Sequence, residues 1–141
     1  MARILRETHG NPSSIYAEGR AARAAVDRAR DEVAAAIQAE PSEIVFTSGG
    51  TESDNFAIRG VAEAIEPTGR RHLIASVIEH EAVLNTLKAL GRRGWQTTLL
   101  AVEQSGIVSP DRLREAMTKE TALVSVTVSY THLTLPTIYS V

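Results

Sequence analysis

The chain has 141 residues, enough for one domain with its own core and too few for two of ordinary size. Its formal charge of -2 argues against a nucleic-acid surface, which needs a basic excess. The absence of cysteine excludes disulfides, thiolate metal sites and a cysteine nucleophile within it, and fits a cytoplasmic protein. No stretch reads as a signal core or a transmembrane helix, so no membrane is expected as a partner.

Asn11-Pro12-Ser13-Ser14 is a turn and a helix-start signal. From Tyr16 to Ala39 the residues Ala22, Val26, Ala29, Val33 and Ile37 recur at helical spacing, which predicts an amphipathic helix rich in alanine. Gly19 weakens its first turns by up to about 1 kcal/mol relative to alanine. Glu40-Pro41-Ser42 ends it. A strand over Glu43–Thr47 leads into a glycine turn, and a helix over Thr51–Ile65 follows, with Ile58, Val61, Ala62 and Ile65 inward. His72–Ser76 reads as a buried strand and Ala82–Arg92 as a helix with Val83, Leu84, Leu87 and Leu90 inward, stopped by Gly94. Trp95–Ala101 is the next strand. Ser109-Pro110-Asp111 starts a helix running to Thr118, and Ala122–Val128 is a fourth strand. The pairs Arg70-Arg71 and Arg92-Arg93 are read as charge compensation at helix C-termini.

Strands alternating with helices predict an α/β fold with a mostly parallel sheet and all strand C-termini on one edge. Two loops on that edge carry unusual chemistry. The first is Ser48-Gly49-Gly50-Thr51, a tight corner between strand and helix. Glycines let the backbone come close, and the free N–H groups and dipole of a helix start favour an anion. Thr51 adds a hydroxyl at the expected N-cap, and Asp54 stands where a capping-box acid would. An ordinary turn that binds nothing is the alternative. Neither GxGxxG nor GxxxxGK[ST] occurs.

The second loop ends in Glu79-His80-Glu81. An imidazole there can stack on a planar ligand or exchange protons near neutral pH, or it can be a solvated loop histidine. With neither HExxH nor a cysteine partner, no metal is expected. His9, His72 and His132 are read as structural or surface residues. The two lysines, Lys88 and Lys119, fall in predicted helices and are read as solvated.

Taken together, Asn11-Pro12-Ser13-Ser14, Ile44-Val-Phe-Thr-Ser-Gly-Gly-Thr-Glu-Ser-Asp-Asn55 and Glu79-His-Glu-Ala-Val-Leu84 resemble the cysteine desulfurases, in this order and spacing. These are fold-type I enzymes of the class V aminotransferase group that use pyridoxal 5'-phosphate. The similarity covers about Met1 to Val126, and the TSGGTESDN run favours the iron–sulfur and tRNA-thiolation branch over the one related to selenocysteine lyase. The resemblance implies that Gly50 and Thr51 hold the cofactor phosphate and that His80 stacks on its ring and assists proton transfer. It implies L-cysteine as substrate, converted to L-alanine while its sulfur passes to an enzyme persulfide. It also implies a sulfur-acceptor or scaffold protein as partner and a homodimeric full-length parent. Other lyases or aminotransferases of the group share the same turn and ring and are the first alternative; a non-catalytic α/β binding module is the second.

The departures are expectations too. The family's cofactor-anchoring lysine, its pyridine-nitrogen aspartate, persulfide cysteine and substrate-carboxylate arginine all lie beyond this chain. Tyr130-Thr-His-Leu-Thr stands where an Asn-Asn-Glu-Ile-Gly run is usual, Tyr16 replaces a usual histidine, and the family's opening strand is missing. Residues 1–128 are therefore read as the N-terminal part of a cofactor-binding large domain, a partial three-layer αβα unit with an incomplete sheet. Residues 129–141 are read as a disordered or foreign tail, Met1 as internal to a longer frame, and the chain alone as inactive. In such a domain Ile44–Thr47 should not pair with His72–Ser76, which should be the central strand of the other three.

Overall fold

The computed structural model describes residues 10–127. The tail at 129–141, His9 and His132 lie outside the described residues. The chain divides into two compact units, one up to Phe46 and one from Thr47 on.

In the first unit, the Asn11 turn closes through Ser14 N–H to the Asn11 carbonyl at 2.9 Å and Ser13 N–H to Asn11 Oδ1 at 2.9 Å. Helix α1 (Ala17–Ile37) follows. Gly19 is explained by this turn, since a Cβ there would lie 2.0 Å from Ser14 Oγ and 2.6 Å from the Asn11 carbonyl oxygen. The helix ends at Gln38, whose left-handed φ of 57° brings its N–H back to the last carbonyls. The expected apolar stripe is only partly used. Of it only Ala22 is buried, joined by Ala34 from off the stripe, while Val33 and Ile37 remain 41% and 64% exposed, because within its unit α1 has only a short turn and an extended segment to pack on.

The strand expected over Glu43–Thr47 does not form. A 3-10 turn (Pro41–Glu43) takes its start, closed by Glu40 N–H to Glu43 Oε2 at 2.8 Å. Ile44 is extended, but its carbonyl accepts from the Arg30 guanidinium rather than from a neighbouring strand. That guanidinium also lies 5.0 Å over the Phe46 ring. A β-branched run supplies extended backbone, but a strand also needs a partner to exchange hydrogen bonds with.

The second unit carries α2 (Gly50–Ile65), β1 (His72–Ser76), α3 (Glu81–Gly91), β2 (Gln96–Leu100), α4 (Pro110–Ala116) and β3 (Thr121–Ser125). A 3-10 turn, Glu66–Thr68, separates α2 from β1. The three strands form a parallel sheet in the order β2-β1-β3, with His72 opposite Gln96 and Thr121. β1 is thus central, and both its edges are taken by strands other than Ile44–Thr47. Every residue of β1 is buried, as expected of a central strand in a parallel sheet. Leu73 and Ala75 join Ile58, Ala62, Val83, Leu87, Leu90 and Trp95 in one apolar core. His72, Ile74 and Ser76 alternate to the other face. Because β1→β2 and β2→β3 cross in opposite directions, right-handed crossovers put α3 and α4 on opposite faces of the sheet.

His72 is structural. It is 5% exposed, and its ring nitrogens meet Thr121 Oγ1 and Thr98 Oγ1, each at 2.9 Å. Arg92 and Arg93 close the end of α3; of the other pair, Arg71 reaches a helix end and Arg70 does not. Arg71 pairs at 3.0 Å with Glu66, the C-cap of α2, and Arg70 donates to the Thr121 carbonyl. Lys119 lies in the turn before β3 instead of in a helix. Among the described residues no helix is long and apolar enough to cross a membrane.

Candidate functional site

Parallel pairing brings the C-termini of β1, β2 and β3 to one edge of the sheet. The loop from Val77 to His80 leaves β1 there. Its anchor is Glu79, only 8% exposed, whose Oε1 accepts from Ser76 Oγ at 2.8 Å and from Thr127 N–H, while its Oε2 accepts from Ser125 Oγ at 3.2 Å. One carboxylate therefore ties the loop to the ends of β1 and β3. The next residue, His80, is exposed and caps α3: its Nδ1 accepts from Ala82 N–H at 3.1 Å. With Nδ1 used as an acceptor, the proton of the neutral ring sits on Nε2.

The glycine corner is built differently from the expectation. The N-cap of α2 is Gly49, not Thr51, and the acid that folds back is Glu52, not Asp54. Glu52 Oε2 accepts from both the N–H and the hydroxyl of Ser48 at 2.6 Å. The Ser48 hydroxyl and then its N–H hold the Glu52 carboxyl below the usual carboxylate range, with desolvation opposing. Thr47 and Ser53 hydroxyls meet at 2.6 Å, and the Ser53 hydroxyl also donates to the Gly49 carbonyl at 3.2 Å. These side chains fix the corner, so the helix can start earlier than a Thr51 cap would allow.

The first helical bond runs from Ser53 N–H to the Gly49 carbonyl at 3.0 Å. The N–H groups of Gly50, Thr51 and Glu52 therefore have no acceptor within the helix. Among the described residues, a Cβ at Gly49 or Gly50 would meet no atom within 4 Å, and neither glycine has a left-handed φ. Packing among the described residues does not require these glycines; close approach of something beyond them would.

Gly50, Thr51, Asp54 and His80 line one open cavity of about 400 Å³. The corner and the histidine loop, well separated in sequence, thus converge within the second unit. Lys88 lines a separate, apolar cavity beside Trp95. Sequence reasoning missed Glu79, Asn55 and Thr86. Asn55 Nδ2 donates to the Thr51 carbonyl at 2.9 Å, and Asn55 Oδ1 accepts from Thr86 Oγ1 at 2.7 Å. Only the Ser-x-x-Glu spacing of Ser76 and Glu79 gave a local signal.

The family model for class-V aminotransferases matches residues 1–133. The chain belongs to that family. Among curated relatives, this class-V chain is similar to the cysteine desulfurase IscS of Dictyoglomus turgidum, 48% identical over 126 residues, 89% of this chain and 32% of the relative. The IscS of Methanosarcina thermophila is likewise 48% identical over 126 residues, covering 31% of its length. Two solved structures share its architecture: a NifS-like protein with a TM-score of 0.81 at 38% identity, and DndA from Streptomyces lividans with 0.79 at 42%. These matches cover 89% of this chain and 34% and 35% of those chains. SspA, solved in complex with cysteine, matches 87% of this chain and 35% of its own with a TM-score of 0.78 at 38% identity. The class-V chain thus spans about a third of the length of its relatives, and its incomplete parallel sheet agrees with the α/β fold expected.

Proposed function

We propose that residues 1–128 form the N-terminal part of the large domain of a pyridoxal 5'-phosphate-dependent cysteine desulfurase. The observation that carries the reading is the convergence of Gly50, Thr51, Asp54 and His80 on one cavity. The residues fit the cofactor. Three N–H groups without helical acceptors and the Thr51 hydroxyl suit a phosphate monoester at the start of α2. The glycines allow it to approach the backbone. His80 offers a flat ring for the pyridine and, at Nε2, an atom that can give or take a proton. When bound, the cofactor supplies an electron sink for bonds broken at the substrate's α-carbon and β-carbon.

The substrate in this reading is L-cysteine, its sulfur leaving to an enzyme thiol and L-alanine remaining. The names of the relatives and the cysteine bound to SspA support that choice. A sulfur-acceptor or scaffold protein and a homodimeric parent, acting in iron–sulfur cluster assembly or tRNA thiolation in the cytoplasm, complete the proposal. Neither Lys88 nor Lys119 lines the cavity, so these residues give it no amine. The chain by itself is therefore expected to release no alanine from cysteine. A chimera carrying residues 1–126 in place of the matching third of the Dictyoglomus turgidum relative should release it. A well-folded, cofactor-loaded chimera without turnover would overturn the reading.

A further inference from the structure

Thr51 and His80 stand on two different helices, so something must set their spacing. The apolar contacts between α2 and α3, through Ile58, Ala62, Val83 and Leu87, are non-directional and do not by themselves tie Thr51 to His80. A polar relay does fix them. Asn55 Nδ2 donates to the Thr51 carbonyl at 2.9 Å, and Asn55 Oδ1 accepts from Thr86 Oγ1 at 2.7 Å. Thr86, 3% exposed, shares its one hydroxyl proton between Asn55 Oδ1 and the Ala82 carbonyl, 2.8 Å away, and Ala82 N–H donates to His80 Nδ1 at 3.1 Å. One amide side chain supplies the donor toward Thr51 and the acceptor toward Thr86. A carboxylate would lack the donor and an aliphatic chain would lack both.

We propose that Asn55 is a positioning residue that sets the distance between the anion-binding start of α2 and the imidazole on α3. The proposal rests on reading the cavity as a phosphate-and-ring site. It predicts that Asn55 matters for a ligand that spans both ends of the cavity and not for one that occupies the phosphate end alone.

The test is an NMR titration of the full 141-residue chain with inorganic phosphate and, separately, with pyridoxine 5'-phosphate, which carries an alcohol in place of the reactive aldehyde. In the unaltered chain both probes should shift the Gly50 and Thr51 amides, and only the pyridoxine ester should shift the His80 ring. In Asn55→Leu, phosphate affinity should stay within about twofold while the ester binds about three- to tenfold more weakly, chiefly through loss of the part-buried Asn55–Thr86 hydrogen bond. Thr86→Val should reproduce this and the double variant should add little, because each breaks the same Asn55–Thr86 bond. Thr86→Ser, which keeps the hydroxyl, should match the unaltered chain. If Asn55→Leu fails to fold, the Thr86→Val and Thr86→Ser pair reads the same bond from its other end. Unchanged ester affinity in the variants, or equal losses for both probes, would overturn the positioning role. Absence of any amide response to phosphate in the unaltered chain would sink the site reading itself, and the inference with it.

Discussion

Ser76 donates its hydroxyl to the Glu79 carboxylate at 2.8 Å across the corner that ends β1, with Ser76 fully buried and Glu79 nearly so. The same carboxylate takes the Ser125 hydroxyl and the Thr127 N–H. It therefore does for this corner what a further ladder would do for a strand: it satisfies donors at the sheet edge and fixes where the next residue, His80, begins α3. Glu79→Ala strips three donors of their acceptor and should destabilise the second unit by about 2–4 kcal/mol. Glu79→Gln can keep its oxygen toward Ser76 and Thr127, and the Ser125 hydroxyl can turn to accept from the new amide. Its cost should be clearly smaller than that of alanine. Urea unfolding followed by the fluorescence of the buried Trp95 measures both. Equal losses would show that the charge, and not the hydrogen bonds, holds the corner.

The glycine corner should loosen in acid. Glu52 titrates below the usual carboxylate range in the folded chain because the Ser48 hydroxyl, then the Ser48 N–H, favour its charged form. A folded value below the unfolded one means the contribution is whole above the ordinary carboxylate range. It is lost as pH falls through the folded value. The Ser48 amide should accordingly lose its protection from hydrogen exchange as the Glu52 carboxyl protonates. Ser48→Ala removes the largest cause, so the Glu52 carboxyl should titrate nearer its ordinary range when followed by carbon NMR. An unchanged titration in that variant would assign the shift to some other source.

What could be read in advance divides by range of interaction. The bounds of β1 matched because a continuous apolar run between turn signals fits a central parallel strand, and α2 and α3 matched within about a residue because their apolar period is strong. Glu43–Thr47 misled because its β-branched run reports extended backbone and not whether a partner strand is present. Val33 and Ile37 kept their period but lacked a surface to cover them. Gly50, Thr51 and His80 do line one cavity, but parallel topology accounts only for the His80 loop, since no strand among the described residues feeds the glycine corner. Asn55, Thr86 and Glu79 were not legible, since their partners lie 31, 46 and 48 residues away and no local pattern encodes those bonds.

His72 holds the sheet through both neighbours at once, meeting Thr98 of β2 and Thr121 of β3 at 2.9 Å each. A neutral imidazole has one donor and one acceptor, and a hydroxyl can play either part, so the pair is satisfied in either tautomer. His72→Leu fills similar space but leaves the buried Thr121 hydroxyl one partner short. The expected loss is about 1–3 kcal/mol. Thr98→Val should cost less, since Thr98 is only half-buried and Thr121 remains bonded to His72. Unfolding midpoints for the two variants decide the order. A larger loss for Thr98→Val would place the main role of His72 at the β2 side.

Asp54 is the one ionisable carboxylate among the residues lining the cavity with Gly50, Thr51 and His80. Its negative charge opposes the attraction that the free N–H groups and the helix dipole exert on an anion. Removing that charge should therefore tighten phosphate binding without altering the donors. The residue is half-buried but lines an open cavity, so solvent and salt still screen the repulsion and the gain is modest. Asp54→Asn should raise the affinity for inorganic phosphate about two- to fivefold at low ionic strength, and the gain should shrink as salt is added. Titrating the Gly50 and Thr51 amides in both proteins at two salt concentrations reads this directly. An affinity that falls in Asp54→Asn would mean that the carboxylate orders the amides it was thought to oppose. The cavity would then have to be read as a site for a cation or a neutral ligand.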